Sequence, residues 1–98
     1  MADALKKEDT VEVRIFVSPD RGKAPLKVKF GALMAGETPI VKWRWEFGDG
    51  TGCTGHPGDE PCSTSPEHEY KEPGKYLAKV TAWDENSSGS DSWPINVS

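Results

Sequence analysis

The sequence predicts an all-β fold, an antiparallel sandwich of about seven short strands in two sheets. Three observations predict it. Apolar residues recur at every second position in short runs, the period of a half-buried strand. Clusters of Gly and Pro separate these runs before any could extend into a helix. The chain has 98 residues, which suits one domain around one core.

The first run sets Val11, Val13, Ile15 and Val17 on one face and Glu12, Arg14 and Phe16 on the other. Pro19-Asp20-Arg21-Gly22 makes a turn. The second run places Leu26, Val28 and Phe30 opposite Lys27 and Lys29, and residues 36–39 break it. In the third run Val41, Trp43, Trp45 and Phe47 share a face, so three aromatic rings are expected in the core. Gly48-Asp49-Gly50 ends that strand, and a long loop carries Cys53 and Cys62. Residues 67–70 suit a short strand. Pro73-Gly74 turns the chain into a run of Tyr76, Ala78, Val80 and Ala82, set against Leu77, Lys79, Thr81 and Trp83. Residues 84–91 read as a polar turn. The last run is Trp93, Ile95 and Val97, and Pro94 inside it marks an edge strand with its nitrogen facing away from a partner. Residues 1–9 read as a flexible lead-in with at most one helical turn, and residues 10–98 as the domain.

Twelve basic and sixteen acidic residues are mixed along the chain, for a net charge of -4. No basic stripe of the kind that phosphate recognition needs is present, so nucleic acid is not an expected partner. No apolar run approaches the roughly 20 residues of a membrane span, so no direct insertion is expected, and an isolated domain should be monomeric. The lead-in lacks the apolar segment of a signal peptide.

Cys53 and Cys62 flank a turn-rich segment. Half a metal site is one reading, but the spacing matches no paired zinc pattern. A local disulfide is the expectation. It would close a short loop, contribute about 2–3 kcal/mol and imply an oxidising compartment.

Several motifs in order resemble the PKD (polycystic kidney disease) domain family. Gly22-Lys23-Ala24-Pro25 leading into Leu26, Val28 and Phe30 is similar to the family's second strand. Trp45-Glu46-Phe47-Gly48-Asp49-Gly50 resembles its Trp-Asp-Phe-Gly-Asp-Gly signature, with Glu46 in place of Asp. His68-Glu69-Tyr70 and Pro73-Gly74-Lys75-Tyr76 resemble its His-x-Tyr and Pro-Gly-x-Tyr elements. The match runs from Val11 to Val97. It implies an immunoglobulin-like sandwich on an extracellular or cell-surface protein.

Physically, Gly48 and Gly50 permit backbone angles closed to other residues, and Asp49 can accept backbone N–H bonds. His68 is expected to bond the turn. Tyr76 is expected to form a tyrosine corner, and Ala78 stands where immunoglobulin domains place a cysteine. Packing, not an inter-sheet disulfide, should then hold the core.

No nucleophile motif or phosphate loop is present, and Glu46 and Asp49 do not form a working carboxylate pair, so no catalysis is expected. The resemblance implies calcium as the one metal to consider, at Glu37, Asp84, Glu85 and Asn86. The loop at residues 35–39, acid-rich in the family, has only Glu37. No other cofactor is implied. Phe16, Trp83 and Trp93 are candidates for ligand contact, set against the reading that they merely cover the sandwich. Asn86-Ser87-Ser88 and Asn96-Val97-Ser98 fit the N-glycosylation acceptor pattern. The expected function is a non-catalytic spacer or contact module meeting other extracellular proteins or neighbouring domains. The alternative is an accessory module of a secreted chitinase, other polysaccharide-active enzyme or collagenase, meeting polysaccharide or collagen.

Overall fold

The computed structural model describes residues 11–58 and 62–98. The lead-in expected over residues 1–9 lies outside the described residues. Among the described residues there are eight strands: β1 (Glu12–Ser18), β2 (Arg21–Gly22), β3 (Leu26–Ala35), β4 (Lys42–Glu46), β5 (Gly52–Gly55), β6 (Glu67–Tyr70), β7 (Gly74–Trp83) and β8 (Ser88–Val97). One sheet has the order β1-β3-β6 and the other β2-β8-β7-β4-β5. All pairings are antiparallel except that of β2 with β8.

The period-2 pattern builds the core directly. Ile15, Val28, Phe30 and Tyr70 of the smaller sheet face Trp43, Trp45, Ala78, Val80, Ala82, Ile95 and Val97 of the larger. Phe30 sits 5.6 Å from the Trp45 ring and 5.2 Å from Phe47. The small side chains of Ala78 and Ala82 leave room on β7 for these large rings, which is how a close-packed core accommodates them.

The strand count is eight where about seven were expected. The additions, β2 and β5, are short and carry no apolar alternation, since β5 reads Gly-Cys-Thr-Gly. β3 runs on to Ala35 because β1 pairs along its whole length, with Glu12 opposite Ala35. β8 begins at Ser88, four residues into what reads as a turn from composition, because each residue from Ser88 to Asp91 has a partner on β7. Val41 is exposed and precedes β4, so it is not part of the core face.

β8 is not a true edge strand, since β2 lines it at Asn96 and Val97. Pro94 is nonetheless accommodated as the sequence requires. The Asn96 and Ser98 N–H groups donate outward to the Asp20 and Gly22 carbonyls. By alternation the Pro94 nitrogen also points away from β7.

β1 and β8 run in the same direction. The chain enters beside Gly89, where a Cβ would lie 1.8 Å from the Val11 carbonyl oxygen. It leaves beside Gly22, which accepts the Ser98 N–H. Entry and exit therefore lie at opposite ends of β8, about 30 Å apart by strand rise.

Candidate functional site

Trp45-Glu46-Phe47-Gly48-Asp49-Gly50 forms the end of β4 and the turn after it. Phe47 N–H donates to the Thr51 carbonyl at 3.0 Å and closes the turn. Gly48 has φ +90°, and a Cβ there would lie 2.6 Å from the Leu77 carbonyl oxygen, so only glycine fits. Asp49 accepts the Thr51 N–H at 3.1 Å and the Thr51 hydroxyl at 2.5 Å. His68 Nε2 donates to Asp49 Oδ2 at 2.7 Å. Partial burial alone would raise the Asp49 pKa, but the bonds from Thr51 and His68 outweigh it and hold the carboxyl below its ordinary value.

The His68 ring stacks on Phe47 at 4.2 Å and meets Tyr70 edge-on at 4.9 Å. The Tyr70 hydroxyl donates to the Phe47 carbonyl at 2.7 Å. Burial, with the Asp49 charge adding to it, pushes the phenol pKa upward. The Tyr76 hydroxyl donates to the Glu72 carbonyl at 2.6 Å, the tyrosine corner that the Pro-Gly-x-Tyr element foreshadows.

Thr51, His68 and Asp49 bring together the three residue types of a nucleophilic triad, but the wiring is wrong. In a working triad the carboxylate holds one imidazole nitrogen and the hydroxyl meets the other. Here Asp49 occupies Nε2, and Thr51 lies 3.4 Å from that same nitrogen. The threonine hydroxyl gives its proton to Asp49, so His68 cannot serve as its base. The cluster pins a turn.

Cys53 and Cys62 form a disulfide with Cα atoms 5.8 Å apart. The returning limb of the loop is held by the two core indoles: Trp43 Nε1 donates to the Cys62 carbonyl at 2.9 Å and Trp45 Nε1 to the Ser63 carbonyl at 3.1 Å. The aromatic strand thus anchors the loop as well as filling the core.

Asp84 is buried. Its Oδ1 accepts the Asn86 N–H at 2.8 Å and the Ser87 N–H at 2.7 Å, and its Oδ2 the Thr38 N–H at 3.4 Å. Glu85 N–H donates in turn to the Thr38 hydroxyl at 3.1 Å. The carboxylate therefore ties the loop after β3 to the β7–β8 turn. Glu37, Glu85 and Asn86 are exposed around it. Among the described residues no group of three or more His, Cys, Asp or Glu side chains is placed to hold a metal ion.

The backbone bonds, led by that from Asn86, hold Asp84 at a pKa of about 2. A carboxyl depressed in the folded state stabilises above its unfolded pKa and loses that contribution as pH falls through the folded one. The melting temperature is therefore expected to fall steeply between about pH 4 and pH 2. Asp84→Ala should melt lower at neutral pH, by on the order of 10 °C, and should lose less on acidification. Melting curves of both chains across that range test this.

Of the three candidate contact aromatics, two come together. Phe16 on β1 is 49% exposed and Trp93 on β8 is 43% exposed. Both line an open groove with Ser18, Lys29 and Gly31 between the two sheets. Asp20 accepts the Trp93 Nε1–H at 3.1 Å and fixes the indole, and this bond lowers the Asp20 pKa. Trp83 is half-buried on the outer face of the five-stranded sheet, away from that groove, with the Lys42 ammonium 4.5 Å from its ring centroid.

Asp20 and Asp91 escape a reading of the sequence. Asp91 accepts the Ile15 N–H at 3.0 Å and joins the two sheets at β1 and β8. Its inward position among solvent-facing serines becomes a signal only once β8 is known to start at Ser88. Asn86 and Asn96 are both exposed, as glycan acceptors must be.

A family model described as PKD domain matches residues 12–97. The chain belongs to the PKD domain family. Three solved structures are similar to this PKD domain. One, 26% identical with a TM-score of 0.77, comes from work on the promiscuous specificity of carbohydrate-binding modules of the β-sandwich superfamily. The alignment covers 93% of this chain and 35% of that one, so the PKD domain spans about a third of its length. The PKD1 domain of the Vibrio cholerae metalloprotease PrtV is 20% identical with a TM-score of 0.64, over 90% of this chain and 94% of that one. The PKD domain of the human VPS10 domain-containing receptor SorCS2 is 20% identical with a TM-score of 0.67, over 91% and 72%. The last two share the fold. No curated protein matches the chain. PKD domains are typically non-catalytic modules and usually extracellular, and the disulfide accords with that setting. Among the described residues no helix is long and apolar enough to cross a membrane.

Proposed function

We propose that this PKD domain is a non-catalytic contact and spacer module of a larger extracellular protein. The observation that carries the reading is the through-running course of the chain. Entry beside Gly89 and exit beside Gly22 lie at opposite ends of β8, so neighbours joined at either end would be held apart by a rigid sandwich. The polar groups of the signature support it, because they are engaged with one another and with the backbone.

A second reading, an accessory module of a secreted hydrolase, is favoured by the Phe16–Trp93 groove and by the likeness to a chain with carbohydrate-binding modules. Exposed rings on a rigid edge suit stacking on polymeric ligands. Co-sedimentation with insoluble chitin, cellulose and fibrillar collagen separates the readings. If the accessory reading holds, at least one polymer retains the chain, and Phe16→Ala with Trp93→Ala cuts retention about tenfold or more. The same double variant should melt within a few degrees of the parent chain, because both rings are half-exposed. Failure of all three polymers removes the accessory reading. If the double variant in the full-length parent protein, and separately replacement of the domain by a flexible linker, both leave partner binding intact, the contact and spacer reading falls.

A further inference from the structure

We propose that the solvent face of the five-stranded sheet binds an anionic polysaccharide, sulfated or uronic, through Trp83, Lys42, Arg44 and Lys79. The inference rests on the domain being an extracellular contact module and names the class of partner.

The charge distribution points to it. The chain carries a net charge of -4, yet strand alternation turns Lys42, Arg44, Lys75 and Lys79 outward on this sheet, with Glu46 the one acid among its paired outward positions. The three-stranded sheet is built differently. There Lys29 stands opposite Glu67 and Lys27 opposite Glu69, so both lysines have an acid across the strands, whereas on the five-stranded face only Lys79 does, opposite Glu46. On the five-stranded face Arg44 is shared between Glu46 at 3.5 Å and the Thr54 hydroxyl at 3.0 Å. Among the described residues no carboxylate lies within ion-pair distance of Lys42, Lys75 or Lys79. An excess of cations over the single acid Glu46 on one face of an acidic protein attracts a polyanion within about a Debye length.

The remaining chemistry of the face favours a saccharide over an acidic peptide. Trp83 is in register with Lys42, which places an aromatic platform beside an ammonium group. A sugar ring can lay its C–H face on the indole while its acidic substituent meets Lys42. Thr81 lies opposite Arg44 in the next outward row, and Ser88 and Ser90 stand beside Trp83 and Thr81 on β8. These hydroxyls, exposed at Ser88 and Ser90 and partly buried at Thr81, both donate and accept, as the hydroxyls of a polysaccharide require. An acidic peptide would use the charges and leave the ring and the hydroxyl row without a role.

The test passes the 98-residue chain over immobilised heparin, polygalacturonate, poly-glutamate and neutral dextran at about 0.1 M salt. Retention on heparin, on polygalacturonate or on both is expected, and the pattern identifies sulfate or carboxylate as the preferred acid. Lys79→Glu should weaken binding about fivefold and Trp83→Ala about tenfold. Lys27→Glu on the other sheet should leave it within about twofold. The proposal is overturned by no retention on either acidic polysaccharide, by retention that neither Lys79→Glu nor Trp83→Ala lowers, or by equal retention on poly-glutamate. If this face fails while replacing the domain by a flexible linker in the full-length protein still abolishes partner binding, the contact-module reading stands without it.

Discussion

Trp45→Ala is expected to lower the melting temperature by on the order of 20 °C and to leave little folded protein at 37 °C. Trp45 is fully buried. Its ring packs 5.6 Å from Phe30 and stacks 6.3 Å from Phe47. It pairs in register with Val80 on one side and Cys53 on the other, so it stands inside the five-stranded sheet and not on its edge. Truncating a buried tryptophan costs about 3–5 kcal/mol, because the lost transfer energy is joined by the cavity left behind. That is a large part of the 5–15 kcal/mol that holds a typical domain. Trp45 also donates to the Ser63 carbonyl, and alanine would release that limb of the cysteine loop. Trp45→Phe separates the two effects. It keeps most of the ring and loses the bond, so it should cost about 1–3 kcal/mol. Thermal and urea melts of the three chains check this. A loss under about 5 °C for alanine would show that β4 is not the centre of the core.

That centre was legible in the sequence because a half-buried strand writes its burial into its alternation. Trp43 and Trp45 show it on β4, with Phe47 just past its end, and Ala78, Val80 and Ala82 show it on β7. Tyr76 and the Gly48-Asp49-Gly50 turn were legible for a different reason. Their geometry depends on residue types with few substitutes, a phenol that reaches back four residues and glycine at positive φ. Where pairing is set by the partner strand, the sequence is silent. Ser88 to Asp91 look like a turn by composition and are strand because β7 is long enough to pair with them. Surface juxtaposition is equally silent. Phe16 and Trp93 are 77 positions apart and meet only because β1 and β8 lie side by side. Trp83 carries the same alternation signal as Phe16 yet belongs to another face, with Lys42 as its neighbour. The candidate aromatics could be picked out one by one, but which of them share a surface is a property of the topology.

Removing the Cys53–Cys62 bridge is expected to cost about 2–3 kcal/mol and about 10–15 °C of melting temperature, with the fold retained. The two cysteines are nine positions apart, so the bridge restricts a short loop in the unfolded chain, and the chain-entropy contribution of so short a loop is at the low end for disulfides. The fold should survive because other bonds dock the same limb. Trp43 Nε1 still reaches the Cys62 carbonyl, and Trp45 Nε1 still reaches the Ser63 carbonyl. Gly55 keeps that approach open, since a Cβ there would lie 2.0 Å from the Cys62 carbonyl oxygen and 2.4 Å from Trp43 Nε1. The variant Cys53→Ala with Cys62→Ala should therefore give a cooperative melt at the lowered temperature, unaffected by reductant. The parent chain should match it only when reduced. A shift under about 3 °C would mean that the indole bonds alone order the loop. Global unfolding would mean that the bridge, and not Trp43 and Trp45, holds the limb against the core. The expected middle result makes the loop a docked part of the sandwich whose full stability needs an oxidising compartment, and it leaves the outward side of that loop free to vary without loss of the fold.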